Sequence, residues 1–218
     1  MPTTQRPQRA DGEATRNRIL EAAGVLFAEA GLAEATNKMI AAKAGADMAS
    51  INYHFGNRNG LYQSVLIEAH HRLIDRTDVE ALTKADIPAR EKLRMLVEFL
   101  AFSASGKTRW PVVVLVRELI APSSHIVALR EVEVFPKLKL VLPVLSEITT
   151  IPASDPALMR CLPCIGAPCL AMLLLSNTES IFEPDVFHLP QADMADHLYH
   201  FIIGGLERIG DAYRAGRA

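Results

Sequence analysis

Residues 36 to 58 read TNKMIAAKAGADMASINYHFGNR, and the fold turns on how this stretch is arranged. Met39, Ile40 and Ala44 follow Thr36 at helical spacing, so a short helix is expected over residues 37–44 with Thr36 as its N-cap. Asp47 can cap a second helix over residues 48–54, with Ile51 and Phe55 turned inward. Gly45 lies between the two and permits a tight turn at low steric cost. Two short helices joined in this way meet the physical requirement of a helix-turn-helix, whose second helix enters the major groove of DNA. Its outward residues would be Met48, Ala49, Ser50, Asn52 and Tyr53, of which Ser, Asn and Tyr can hydrogen-bond to bases or phosphates.

Helical spacing dominates on both sides of this stretch. A preceding helix is expected over residues 15–30, with Ile19, Ala22, Ala23, Leu26, Phe27 and Ala30 on one stripe and Gly31 ending it. A fourth helix runs from about Arg58 to Asp78. Longer and more apolar helices then cover 88–105, 109–121, 124–147 with a break at Pro136, 155–177 and 191–214, and Glu179 to Pro190 reads as a loop. Only a few residues from Val132 to Phe135 hint at a strand-like alternation. The expected fold is all-α: a flexible arm over residues 1–14, a three-helix helix-turn-helix domain over 15–66, and a larger helical ligand-binding and dimerisation domain over 67–218.

Composition narrows the function without naming it. Half of the 218 residues are hydrophobic, enough for a sizeable core, and a net charge of −2 gives no general attraction to nucleic acid. Residues 1–64 carry seven Lys/Arg against six Asp/Glu, so any DNA contact must come from local placement. The N-terminus lacks the apolar core of a signal peptide, and the most apolar run, Cys161 to Ser176, is short for a membrane span and interrupted by Pro163 and Pro168. A cytoplasmic protein without a membrane partner is expected. Cys161, Cys164 and Cys169 do not form a disulfide framework, and buried thiols are the simpler reading beside a redox sensor. Neither His70 with His71 nor His197 with His200 comes with further ligands, so no metal or cofactor is expected. No phosphate loop, nucleophile elbow or carboxylate pair supports an enzyme.

The ordered motifs resemble a known family. Thr15 to Ala23, then Leu26 to Gly31, are similar to the opening helix of TetR-type repressors. Ile40 to Gly45, Ser50 to Arg58, and Gly60-Leu61-Tyr62 resemble their helix-turn-helix. The resemblance implies a ligand-released repressor that binds palindromic double-stranded operator DNA as a homodimer. It implies contacts by Lys38 from the first short helix, by Ser50, Asn52 and Tyr53 from the recognition helix, and phosphate contacts by His54 and Arg58. Asp47 and Met48 stand where many members carry Ser and Lys, and Asn52 stands where an aromatic residue is common, so the resemblance extends to the fold and not to the operator sequence. The run Val116 to Ser123 resembles the CecR-like branch, which implies a helical ligand-binding and dimerising domain. The competing reading is a helical small-molecule-binding protein, or an enzyme, whose N-terminal domain no longer engages DNA.

In the C-terminal part, Trp110 to Ile120 is apolar on nearly every side and should be buried. Arg117 and Glu118 then need partners, either each other, Arg94 or His125, or else the polar end of a small apolar or amphipathic ligand. The structural pairing is favoured. Phe99, Phe102, Trp110, Val113, Met172 and Tyr199 suit the walls of such a pocket, and each equally suits an ordinary core. The last helix lines up Met194, Leu198, Phe201, Ile202, Gly205 and Ile209, a stripe that fits a dimer interface with the helix at 155–177 or, alternatively, the closing of the protomer core.

Overall fold

A computed structural model describes residues 6–102, 109–175 and 190–216, and the loop expected between Glu179 and Pro190 lies outside these apart from its last residue. The described residues are helical apart from connections and form two compact units. The first takes residues up to His70 together with 108–132, and the second takes 71–107 and 133–218. The first division falls inside the fourth helix, and the segment 108–132 packs with the N-terminal helices although the sequence reading put it in the C-terminal domain.

In the first unit, α1 (Arg6–Glu34) starts well before residue 15. The expected arm is therefore helical from Arg6: Pro7 falls in the first turn, where a missing N–H does no harm, and Ala10, Glu13 and Ala14 favour helix. α2 (Asn37–Ala44), α3 (Met48–Phe55) and α4 (Arg58–Leu73) follow, the first two within one residue of expectation. Ile19, Phe27, Ile40, Ile51, Leu61 and Leu66 are fully buried, and the Phe27 ring meets Tyr62 edge-on at 5.0 Å. α7 (Trp110–Ile120) lies against α1. Trp110 is buried, and its indole covers Gly24 so closely that an added Cβ would lie 2.4 Å from the ring. Its Nε1–H donates to Glu21 at 2.9 Å. A glycine in the middle of a helix costs stability, and here the cost is offset by the ring that the missing side chain admits. The short α8 (Ile126–Leu129) completes this unit.

The second unit packs α5 (Arg76–Lys84), α6 (Ala89–Phe102), α9 (Phe135–Thr149), α10 (Pro156–Leu175) and α11 (Gln191–Arg214) around one core that includes Leu93, Val97, Leu145, Leu158, Leu198 and Leu206. The expected helix 58–78 breaks at Ile74–Asp75, because the Asp75 carboxylate accepts the Thr77 N–H at 2.6 Å and starts α5 anew. Residues 130–134 form a π-helical turn, which overlaps the strand-like alternation of Val132 to Phe135. Pro136, in the first turn of α9, has no N–H for the carbonyl four residues back, and the helix widens there.

α10 is the one helix among the described residues long and apolar enough to cross a membrane. In this fold it gives Leu158, Cys161, Ile165 and Cys169 to the core. Burial pushes the Cys169 thiol up to about 11 and raises that of Cys161, the opposite of an activated thiolate.

Replacing Gly24 with Ala should push against the Trp110 ring and cost about 1–3 kcal/mol, while Trp110→Ala should cost about 3–5 kcal/mol. Urea unfolding of both single variants and the double variant measures this. The Gly24→Ala cost is expected to vanish in the Trp110→Ala background, and strict additivity would contradict the packing described.

Candidate nucleic-acid interface

The interface is built from the caps outward. Thr36 Oγ1 accepts the Met39 N–H at 3.3 Å and starts α2, which buries Ile40, Ala41 and Ala44. Gly45 takes a left-handed conformation (φ 60, ψ 40), and the Ala46 N–H closes the helix end on the Ala41 carbonyl at 3.0 Å. Asp47 then caps α3, accepting the Ser50 N–H at 2.6 Å, and this bond holds its carboxyl below the usual range. The cap therefore keeps its full strength above the ordinary aspartate value and loses it as pH falls through the lowered one. α3 buries Ile51 and Phe55 against α1 and α2.

With Ile51 and Phe55 inward, Met48, Ala49, Asn52 and Tyr53 are all exposed, at positions i, i+1, i+4 and i+5 of one helix face. Tyr53 is 84% exposed, which is unusual for a tyrosine and leaves most of its side chain available. Ser50 is half-buried, and its N–H is held by the cap. His54 is half-buried and meets Tyr53 edge-on at 4.9 Å, so it supports that ring. Lys38 stands exposed on α2.

Arg58 departs from expectation. Its guanidinium donates to the carbonyl oxygens of Leu32 and, at 3.1 Å, Ala33, so it ties the end of α1 to the start of α4 and does not face outward as a phosphate contact. A cation that the sequence reading placed in the first helix without a role takes a more suitable place: exposed Arg16 lies 5.2 Å over the Phe55 ring, beside the end of α3. The signal was its position three residues before Ile19, the first core residue of α1.

The pocket residues divide between the two units. Trp110 faces Gly24, Val113 is half-buried in the same helix, and Arg117 is exposed, donating to the Glu29 carbonyl at 3.2 Å. Glu118 is 1% exposed and accepts from the Tyr62 hydroxyl at 2.8 Å and from the Ser123 N–H and Oγ–H, both at 2.8 Å. The pairing expected with Arg117, Arg94 or His125 is thus replaced. Arg94 reaches Asp196 at 2.5 Å in the second unit, and His125 packs edge-on to Tyr62. Burial and the Glu118 carboxylate push the Tyr62 phenol well above its ordinary value, so it remains a donor. These four residues therefore form packing and anchoring contacts inside the first unit. In the second unit Tyr199 is buried under the Arg94 guanidinium, 4.1 Å from its ring, and Met172 packs on the core. Phe99 and Phe102 do line an open groove of about 420 Å³, with Leu73 and Met95 as further apolar walls and Asp75, Asp78 and Glu98 among its polar ones.

The α11 stripe is also corrected in part. Leu198 and Ile202 belong to the protomer core, and Met194 and Ile209 pack against it. Phe201, 67% exposed, and Gly205 remain on the outer side.

The family model for bacterial regulatory proteins of the tetR family matches residues 19–65, from within α1 to the first half of α4. The model for the C-terminal domain of the HTH-type transcriptional dual regulator CecR matches residues 89–206, more than half of the chain. The chain belongs to the TetR family, with a C-terminal domain of the CecR type. The TetR-type and CecR-like resemblances of the sequence hold. Among curated relatives, the chain is 38% identical over 64 residues to the HTH-type transcriptional regulator SrpR of Pseudomonas putida; that match takes 29% of this chain and spans 30% of the relative's length. Among solved structures, it is similar to the fatty acid degradation regulator FadR of Bacillus halodurans (TM-score 0.65, 17% identity, 87% of this chain and 98% of that one). It is likewise similar to the ketosteroid transcriptional regulator KstR2 of Mycobacterium tuberculosis (TM-score 0.62, 20% identity, 87% and 93%). These TetR-type likenesses carry the all-α fold with an N-terminal helix-turn-helix.

The salt dependence of operator binding should separate the cations. Arg16→Ala and Lys38→Ala should each reduce the slope of log K against log salt by about 0.9. Arg58→Ala should leave the slope unchanged and lower the unfolding midpoint. A reduced slope in the Arg58 variant would return that residue to the phosphate contacts.

Proposed function

We propose that this TetR-family protein is a cytoplasmic transcriptional regulator that binds palindromic operator DNA as a homodimer and is released by a small amphipathic ligand. The observation that carries the reading is the α3 face of Met48, Ala49, Asn52 and Tyr53, exposed together on a helix whose opposite side is locked into the core. Met48 and Ala49 gain little from solvent, and a major groove offers methyl groups to them and base edges to Asn52 and Tyr53.

Two features of the second unit support the remaining parts. α10 has much of its apolar surface uncovered, including Met159, Pro163, Ala167 and Ala171, and α11 leaves Phe201 exposed beside Gly204 and Gly205. Helices with outer faces of this composition suit a four-helix contact with a second copy, and small residues let the backbones approach. A two-fold dimer would offer two α3 helices at a spacing near one DNA turn, roughly 34–36 Å, or a multiple of it. The groove lined by Leu73, Met95, Phe99 and Phe102 accepts an apolar body, and its carboxylates favour a ligand with a polar or cationic end. Such a ligand lowers DNA affinity only by the difference in its own affinity for the operator-bound and released states. Repression is the expected outcome when the operator overlaps a promoter.

Phe201→Glu should convert the dimer to a monomer in sedimentation velocity and weaken operator binding, with helix content preserved. Tyr53→Ala should leave the dimer intact and abolish protection of the operator in a footprint. A dimeric Phe201→Glu protein would remove α11 from the interface, and a protected operator with Tyr53→Ala would remove α3 from the groove.

A further inference from the structure

The chemistry of the α3 face says more than that it binds DNA. Its exposed residues are Met48, 56% exposed, with Ala49, Asn52 and Tyr53, and no Lys or Arg occurs anywhere between Met48 and Phe55. The major-groove edge of guanine shows two acceptors, N7 and O6, and is usually read by the paired donors of Arg or by Lys. This helix has neither. The Asn52 side chain offers one donor and one acceptor side by side, which matches the N7 acceptor and N6 donor of adenine. The apolar Met48 and Ala49 side chains match the one apolar group in the groove, the C5-methyl of thymine.

The other polar groups nearby do not change this balance: neither Tyr53 nor the half-buried His54 beside it offers the paired donors that guanine matches. The Asp47 carboxylate, an acceptor of the kind that suits cytosine N4, holds the Ser50 N–H at 2.6 Å as the helix cap. Ser50 is half-buried. Lys38 stands on α2, the helix that crosses the phosphate backbone in this motif, and Arg16 on α1 lies outside α3.

We infer that α3 reads A·T base pairs, with Asn52 on adenine and Met48 with Ala49 on thymine methyl groups. This rests on the helix-turn-helix reading above and adds the base identity to it. The half-site positions under α3 are then A·T, and guanine is confined to positions outside its reach.

The full-length protein, given a random duplex pool, tests this by selection followed by atom-level changes in the recovered operator. Selected half-sites should carry A·T at their central contacted positions. Deoxyuridine in place of a contacted thymine removes only the methyl group, and 7-deazaadenine in place of a contacted adenine removes only N7. Each change should weaken binding, the second by roughly tenfold, about the worth of one good side-chain–base pair. The effect of deoxyuridine should shrink in Met48→Ala, where Ala49 remains, and that of 7-deazaadenine should disappear in Asn52→Ala; both residues are exposed, so circular dichroism should show unchanged folding. Invariant G·C pairs at the centre of the selected half-sites, or wild-type binding indifferent to both base changes, would overturn the inference while leaving DNA binding intact. A pool in which no sequence is enriched would overturn the DNA-binding reading and the base preference with it.

Discussion

A buried carboxylate decides what the N-terminal unit contains. Glu118 is almost without solvent contact, and its acceptors are met by the Tyr62 hydroxyl and by the backbone and side chain of Ser123. Withdrawing any of these would strand a polar group in a poorly solvated place, at a cost that surface contacts do not recover. The end of α7 is thereby held to α4, while Trp110 fixes its beginning to α1. α1 and α4 are also the helices that flank the α2–α3 crossing. The position of the exposed α3 face therefore depends on a helix that lies some sixty residues further along the chain.

The α2–α3 stretch was readable because its determinants are local. Thr36, Gly45 and Asp47 each act on backbone groups within a few residues, and the observed helix limits agree with them. The opening helix was readable in its stripe but not in its start, since Arg6 to Ala14 carries no apolar pattern to distinguish helix from arm. The harder cases share one cause: a sequence shows which side of a helix is apolar or charged, but not what comes to lie against it. Arg58, at the start of α4, fitted a phosphate as well as a carbonyl, and the Leu32 and Ala33 carbonyls that claim it arrive from a separate helix. Met194, Leu198, Ile202 and Ile209 fitted a partner as well as the protomer's own core, and the core took them. Gly24 was the overlooked signal, because a glycine inside a strong helical stripe marks a close approach.

Charge in this protein works by placement. With 23 basic residues against 25 acidic, the chain as a whole has no pull on a polyanion. Arg16 and Lys38 instead project from α1 and α2, while the groove-facing helix itself carries no Lys or Arg. Arg58, a third cation of this region, closes the fold between α1 and α4.

The return of residues 108–132 to the N-terminal unit means that the chain passes between its two halves three times. A graft that joins residues 1–66 to a foreign sensor would leave behind the tryptophan that fills the space over Gly24 and the carboxylate that accepts from Tyr62. Recombination that keeps the head intact must carry α7 along with it. The head and its companion helix thus form one packed piece, and a cut between α4 and α7 divides it.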